Sequence, residues 1–151
     1  MRSKPGPPIQ FHFLVPCTLP HRGLLRQFLA SIFKKEKQRL EGLNIIFCSD
    51  DYLLHLNKQF LKHDFYTDIL SFPLSKSGQP LNAEIYISVD RVRDNAKNLE
   101  STLREELHRV IIHGVLHFCG FKDKTTREIN TMRAMEDKWL RSYFRKIRGR
   151  T

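Results

Sequence analysis

The sequence predicts an α+β fold, a small mixed sheet covered by helices, and three observations predict it. Segments of alternating hydrophobicity are interleaved with segments of helical period from residue 9 to residue 147. A strand–helix–strand order opens the chain, which favours a parallel pair with a right-handed crossover. A later strand–turn–strand order favours an antiparallel hairpin, so the sheet is mixed.

Residues 1–8 contain three prolines and a glycine and read as a flexible lead-in. "IQFHFLV" (9–15) alternates loosely and is a strand. In residues 22–40 the apolar positions Leu24, Leu25, Phe28, Leu29, Ile32 and Phe33 fall at helical spacing. Gly42 reads as that helix's cap region, and "LNIIFCS" (43–49) as the second strand. Ser49 is a good N-cap for a helix over 50–60, with two acids in its first turn. A loop at 61–66 leads to the strand "TDILSFPL" (67–74), the turn "SKSGQP" (75–80) and the strictly alternating strand "AEIYISV" (83–89). A helix follows at 90–100. "TLRE" (102–105) is a capping box for a helix ending at Gly120, the C′ residue, and "TTRE" (125–128) opens a last helix to about residue 147. That gives four strands and five helices, read as one domain over 9–147.

A chain of 151 residues with 40% hydrophobic and 28% charged residues can bury a real core and is not of disordered composition. No apolar run reaches membrane-spanning length, and "MRSKPGPPIQ" lacks the apolar stretch of a secretory signal, so a cytoplasmic location is expected. Cys17, Cys48 and Cys119 are odd in number and set among apolar residues, which favours buried reduced thiols over a disulfide framework. Lys and Arg number 26 against 16 Asp and Glu, a net charge of +10. Part of the excess sits in "FKKEKQR" (33–39) and in "RSYFRKIRGR" (141–150), which holds five basic residues and no acid. A polyanionic partner such as RNA or DNA would explain it, because neutralising phosphates releases counterions. A merely solvated surface would carry the same charge.

The chemistry concentrates at 113–123. His113 and His117 lie four residues apart on the predicted helix, about 400° of turn, and so point the same way, roughly 6 Å apart along the axis. Two imidazoles so placed can share one zinc ion. Gly120 can turn the chain back in the left-handed region, bringing Asp123 into a third ligand position. Three protein ligands and an open fourth position describe a catalytic zinc site, whereas structural zinc is usually saturated. The competing reading makes both histidines satisfied core residues beside Val110, Ile111 and Val115. Cys119 is a conceivable thiolate ligand but lies about 200° around the helix from His117, which places it in the core. The spacing resembles that of the metzincin peptidases, H-E-x-x-H-x-x-G-x-x-H. Gly114 stands at the glutamate that serves those enzymes as general base, which disfavours amide hydrolysis.

"HGVLHFCGFKD" (113–123) resembles the signature H-G-x-L-H-x-x-G-Y-x-H of the YbeY family of bacterial single-strand-specific endoribonucleases. "LNKQFLKHDFYTDILSFP" (56–73) is similar to that family's L-N-x-x-Y-R…T-D-V-L-S-F-P segment, and "AEIYIS" (83–88) resembles its G-D-I strand. The resemblance runs from about residue 43 to residue 140. It implies a mixed four-stranded sheet with surrounding helices, and a zinc ion, or another divalent metal, held by His113, His117 and Asp123. It also implies cleavage of RNA in ribosomal precursors, with rRNA or the ribosome as partner. Asp123 replaces the family's third histidine and should make the metal a weaker Lewis acid. Leu61 stands where the family has an arginine. Lys62, with His63 beside it, is the candidate replacement, though a lysine lacks the bidentate fork.

Arg91 and Arg93 are candidate phosphate contacts, with an exposed helix start as the plain reading. Asp68 is either an acceptor for a ligand histidine or a turn cap. Glu84 is expected to face solvent. Met132, Met135 and Trp139 are expected in the core, and Tyr52, Phe65 and Phe72 are expected buried rather than stacked on bases. The favoured function is metal-dependent cleavage of single-stranded RNA, the metal polarising a phosphoryl oxygen, lowering the pKa of its bound water, or both. No proton acceptor is assigned, and the nucleophile is open between water and the RNA's own 2′-OH. The alternatives are a ribosome-assembly or RNA-binding factor with a structural or barely active zinc site and, disfavoured by Gly114, a zinc peptidase.

Overall fold

The computed structural model describes residues 8–149. Residues 1–7 of the expected lead-in lie outside that range; Pro8 is tied down, its carbonyl accepting the Leu43 N–H at 2.7 Å. Four strands, β1 (Ile9–Phe13), β2 (Leu40–Cys48), β3 (Ile69–Pro73) and β4 (Leu81–Ser88), alternate with five helices. The helices are α1 (Arg22–Lys35), α2 (Asp50–Leu61), α3 (Val89–Asn98), α4 (Leu103–Phe118) and α5 (Thr126–Arg148).

The strands form one mixed sheet in the order β1-β2-β4-β3. β1 and β2 are parallel, as are β2 and β4, and β3 pairs antiparallel with β4 from Ile69↔Ile87 to Pro73↔Ala83. β4 buries every second residue from Leu81 to Ile87. Its inward side chains meet α1, α4 and α5 in the main core, where Leu25, Leu29, Ile32, Ile85, Ile111 and Val115 are fully buried. Each such aliphatic side chain stabilises the fold by about 1.5–3 kcal/mol. α2 covers part of the opposite face, its Leu53 packing with Cys48 and Leu70.

The N-caps at Ser49 and Thr102 form as expected, their hydroxyls accepting the N–H of Tyr52 and Glu105. The complete capping box is at Thr125 and Glu128. The first helix differs. α1 stops at Lys35, and the chain turns with Lys37 at φ 59°. Gly42 is therefore no cap but an interior residue of β2, at a register irregularity, where a Cβ would come within 2.7 Å of Asn82 Oδ1. The sheet claims Leu40 because it pairs with Leu81, and tertiary pairing overrides the local helical period.

Met132 and Trp139 are in the core and Met135 packs against it, while Glu84 is half-buried. Tyr52 and Phe65 are exposed, against expectation; Phe72 is half-buried between Phe60 and Tyr86. Four strands leave too little sheet on the α2 side to bury all of these rings. The cysteines are free; Cys48 is buried, and Cys17 and Cys119 are half-buried. Burial pushes the Cys48 and Cys119 thiols up to about 12, so both stay protonated at neutral pH. Among the described residues no helix is long and apolar enough to cross a membrane.

Candidate metal centre

α4 ends at Phe118 with Cys119 as its C-cap, and Gly120, at φ 99°, turns the chain so that Asp123 folds back toward the helix. The side chains of His113, His117 and Asp123 converge, with one ligand atom from each lying within 4.8 Å of the others. Asp123 Oδ2 is 3.3 Å from His113 Nε2 and 3.2 Å from His117 Nε2. Donors about 2.0–2.1 Å from a tetrahedral ion are about 3.3 Å apart, so these spacings fit the edges of such a site. The group could hold a metal ion. Cys119 is not part of it.

Glu136, on α5, orients this group, and sequence reasoning did not single it out. Its Oε2 accepts the His113 Nδ1–H at 2.6 Å, which leaves the Nε2 lone pair facing Asp123. Its other oxygen is 3.3 Å from Arg109 Nη1, and Arg109 Nη2 is 2.8 Å from Asp137. Burial alone would lower the His113 pKa, but the hydrogen bond and charge of Glu136, with Asp123 and Asp68, raise it instead. The acceptor on His113 is thus Glu136 and not Asp68. The available signal was an acid inside the apolar stripe Met132, Glu136, Trp139, Leu140 and Tyr143, all buried.

His113 and Asp123 line a cleft of about 680 Å³ between α4 and α5. Its walls are acidic: Asp68, Glu105, Glu106, Glu136 and Asp137 stand against Arg109 and Arg133. Burial pushes the Asp68 carboxyl up, against the pull of His113 and two backbone N–H groups. Burial also raises Glu106, opposed by Arg109 and reinforced by Asp68 and Glu136. A concentration of carboxylates, Glu106 and Glu136 of them buried, favours a cation.

Gly114 has a positive reason to be glycine. A Cβ there would come within 2.9 Å of both Ile69 Cδ1 and Ile85 Cδ1, so α4 lies directly on β3 and β4 at that point. The position of the peptidase glutamate is filled by the sheet.

The chain matches the family model described as Endoribonuclease YbeY over residues 19–144. The chain belongs to the YbeY endoribonuclease family. It is 52% identical over 119 residues to an endoribonuclease YbeY of Cytophaga hutchinsonii, covering 79% of this chain and 83% of the relative. An endoribonuclease YbeY of Flavobacterium psychrophilum is 39% identical over 135 residues, 89% and 96% of the two chains. The solution structure of a protein from Thermotoga maritima superposes with a TM-score of 0.59 at 28% identity, over 93% of each chain.

The other candidate substrate-binding residues lie elsewhere. Lys62, at φ 56°, caps the end of α2 and with His63 lines a separate recess. Arg91 is engaged with Asp50 at 2.7 Å and lies over the Tyr66 ring. Arg93 is exposed, 3.7 Å from Asp90. Leu61 is exposed on α2. Arg133, which lines the metal cleft, was not anticipated.

Proposed function

We propose that this protein is a zinc-dependent, single-strand-specific endoribonuclease acting in the maturation of ribosomal RNA in the cytoplasm. The observation that carries the reading is the triangle of His113 Nε2, His117 Nε2 and Asp123 Oδ2, with 3.2–3.3 Å edges at Asp123, opening on the cleft. Zinc bound there supplies Lewis-acid polarisation of a phosphoryl oxygen. The chain's own contributions are separate. His113, His117 and Asp123 hold the ion, Glu136 fixes the His113 tautomer, and Arg133 meets the phosphate. Arg133 forms no ion pair among the described residues, unlike Arg109. Lys62 and His63 would reach the RNA only beyond the scissile position. Gly114, packed on the sheet, leaves no side chain to serve as a peptidase base.

The test is cleavage of a single-stranded RNA by zinc-loaded protein beside an identically prepared His117→Ala variant. The expected result is cleavage by the first and a loss of at least about 100-fold in the second. Equal cleavage by both would assign the activity to something other than this site. No cleavage by either would favour an RNA-binding assembly factor, a reading that Leu61 supports.

A further inference from the structure

The acid-walled cleft leaves a question open for any RNA-cleaving enzyme: where the substrate's phosphates find their cations. The chain's positive excess lies mostly outside that cleft. On α5, Lys138, Arg141, Arg145 and Arg148 are all exposed. At 100° per residue their spacing of three, four and three places them within an arc of about 80°, along about 15 Å of helix. No acid interrupts residues 138–148.

Neighbouring elements extend the stripe. Lys35 of α1 and Lys138 converge on the Trp139 ring, their Nζ atoms 5.4 and 5.6 Å from its centroid. Contact with Lys35 and its charge lower the Lys138 pKa, and Glu36 offsets this only in part. On the other flank Arg104 of α4 lies over Phe144 at 5.2 Å, beside a recess of about 500 Å³ that Arg141 and Arg148 also line. Among the described residues Lys35, Arg104, Lys138, Arg141 and Arg145 form no ion pair. A surface kept basic only for solubility would intersperse acids among its cations. Here the acids stay at the margins, Glu36 beside Lys138 and Glu105 and Asp137 in the recess with Arg109, while the α5 cations themselves are held in one line, a potential that a polyanion relieves.

We propose that the α5 stripe Lys138–Arg141–Arg145, flanked by Lys35 and Arg104, is a docking surface for the phosphate backbone of RNA, separate from the metal cleft. The proposal rests on the endoribonuclease reading for its choice of polyanion. The stripe holds the strand by charge, without base recognition, while the cleft acts on a short segment of it. Losing the stripe therefore weakens binding of long RNA and leaves cleavage of a short oligonucleotide, bound only at the cleft, unchanged.

The experiment compares the full-length zinc-loaded protein with its Lys138→Gln/Arg141→Gln/Arg145→Gln variant. Binding of a long single-stranded 2′-O-methyl RNA is followed by anisotropy over a range of salt, and cleavage of a short RNA is assayed in parallel. Each single-strand phosphate contact contributes about 0.7 to the slope of log K against log salt, so the variant should flatten that slope by about 2. An unchanged slope and affinity, with the wild type cutting RNA, would overturn the docking surface and leave the enzyme reading intact. A flattened slope in a protein that never cuts RNA would do the reverse. Should the variant lose affinity for anionic phosphatidylserine vesicles while RNA binding stays unchanged, the stripe is a membrane surface and the proposal is wrong.

Discussion

His113 donates its Nδ1–H to Glu136 Oε2 at 2.6 Å, and one proton thereby decides which ring nitrogen is free for a metal. Arg109 holds Glu136 from the other side, so the carboxylate is fixed at both oxygens. Replacing Glu136 by Gln removes the charge that favours this tautomer while nearly keeping the shape. Zinc affinity, measured by competition with a chromogenic chelator, should fall about 10–100-fold. Unchanged affinity would show that His113 is positioned by packing alone. The two histidines and Asp123 were legible from their spacing, because a helix of known pitch followed by a glycine turn fixes their directions. Glu136 was hidden: it is distant in sequence, and only the packing of α5 on α4 brings it to the site.

Helix α4 does two jobs at once, presenting His113 and His117 on one side and lying against the sheet with the other. Gly114 makes the second job feasible, since Ile69 and Ile85 occupy the space of any side chain there. Gly114→Glu, which would restore the peptidase-type base, must force a carboxylate between those two isoleucines. It should destabilise the protein by more than about 3 kcal/mol in urea unfolding and create no peptidase activity. A stable, proteolytic variant would mean that α4 can lift off the sheet. The sequence identified the helix and its Thr102 N-cap correctly, although the Glu105 half of the expected capping box does not form. It could not tell that the glycine marks a close approach, because the β3 and β4 residues that crowd it lie outside the helix.

The whole molecule carries a titratable group in its core. His108 is 1% exposed, stacked on Tyr143, and donates its Nδ1–H to the Arg104 carbonyl. Its Nε2 has no partner. Burial lowers its pKa from the usual 6.5, opposed by the Arg104 carbonyl and aided by the Arg104 charge. The fold thus prefers neutral His108, while the unfolded chain takes up a proton near pH 6.5. Its contribution is fully present above that value and lost as pH falls through the window down to the lowered folded pKa. The difference in unfolding free energy between the wild type and His108→Phe should therefore shift against the wild type as pH drops below about 6.5. A pH-independent difference would mean that His108 charges freely in the fold.

By itself the sequence determined the class of fold, the N-caps at Ser49, Thr102 and Thr125, the hairpin, the parallel opening pair and the three candidate ligands. Each of these depends on periodicity, cap chemistry or helical pitch, which act over a few neighbouring residues. The tertiary structure decided the strand order, the end of α1, the exposure of Tyr52 and Phe65, the contacts of Glu136 and Gly114, and the placement of Arg133 at the cleft. It also gathered cations of α1, α4 and α5 into one surface. Those outcomes depend on which elements touch, a matter of shape and burial across the molecule that no local pattern encodes.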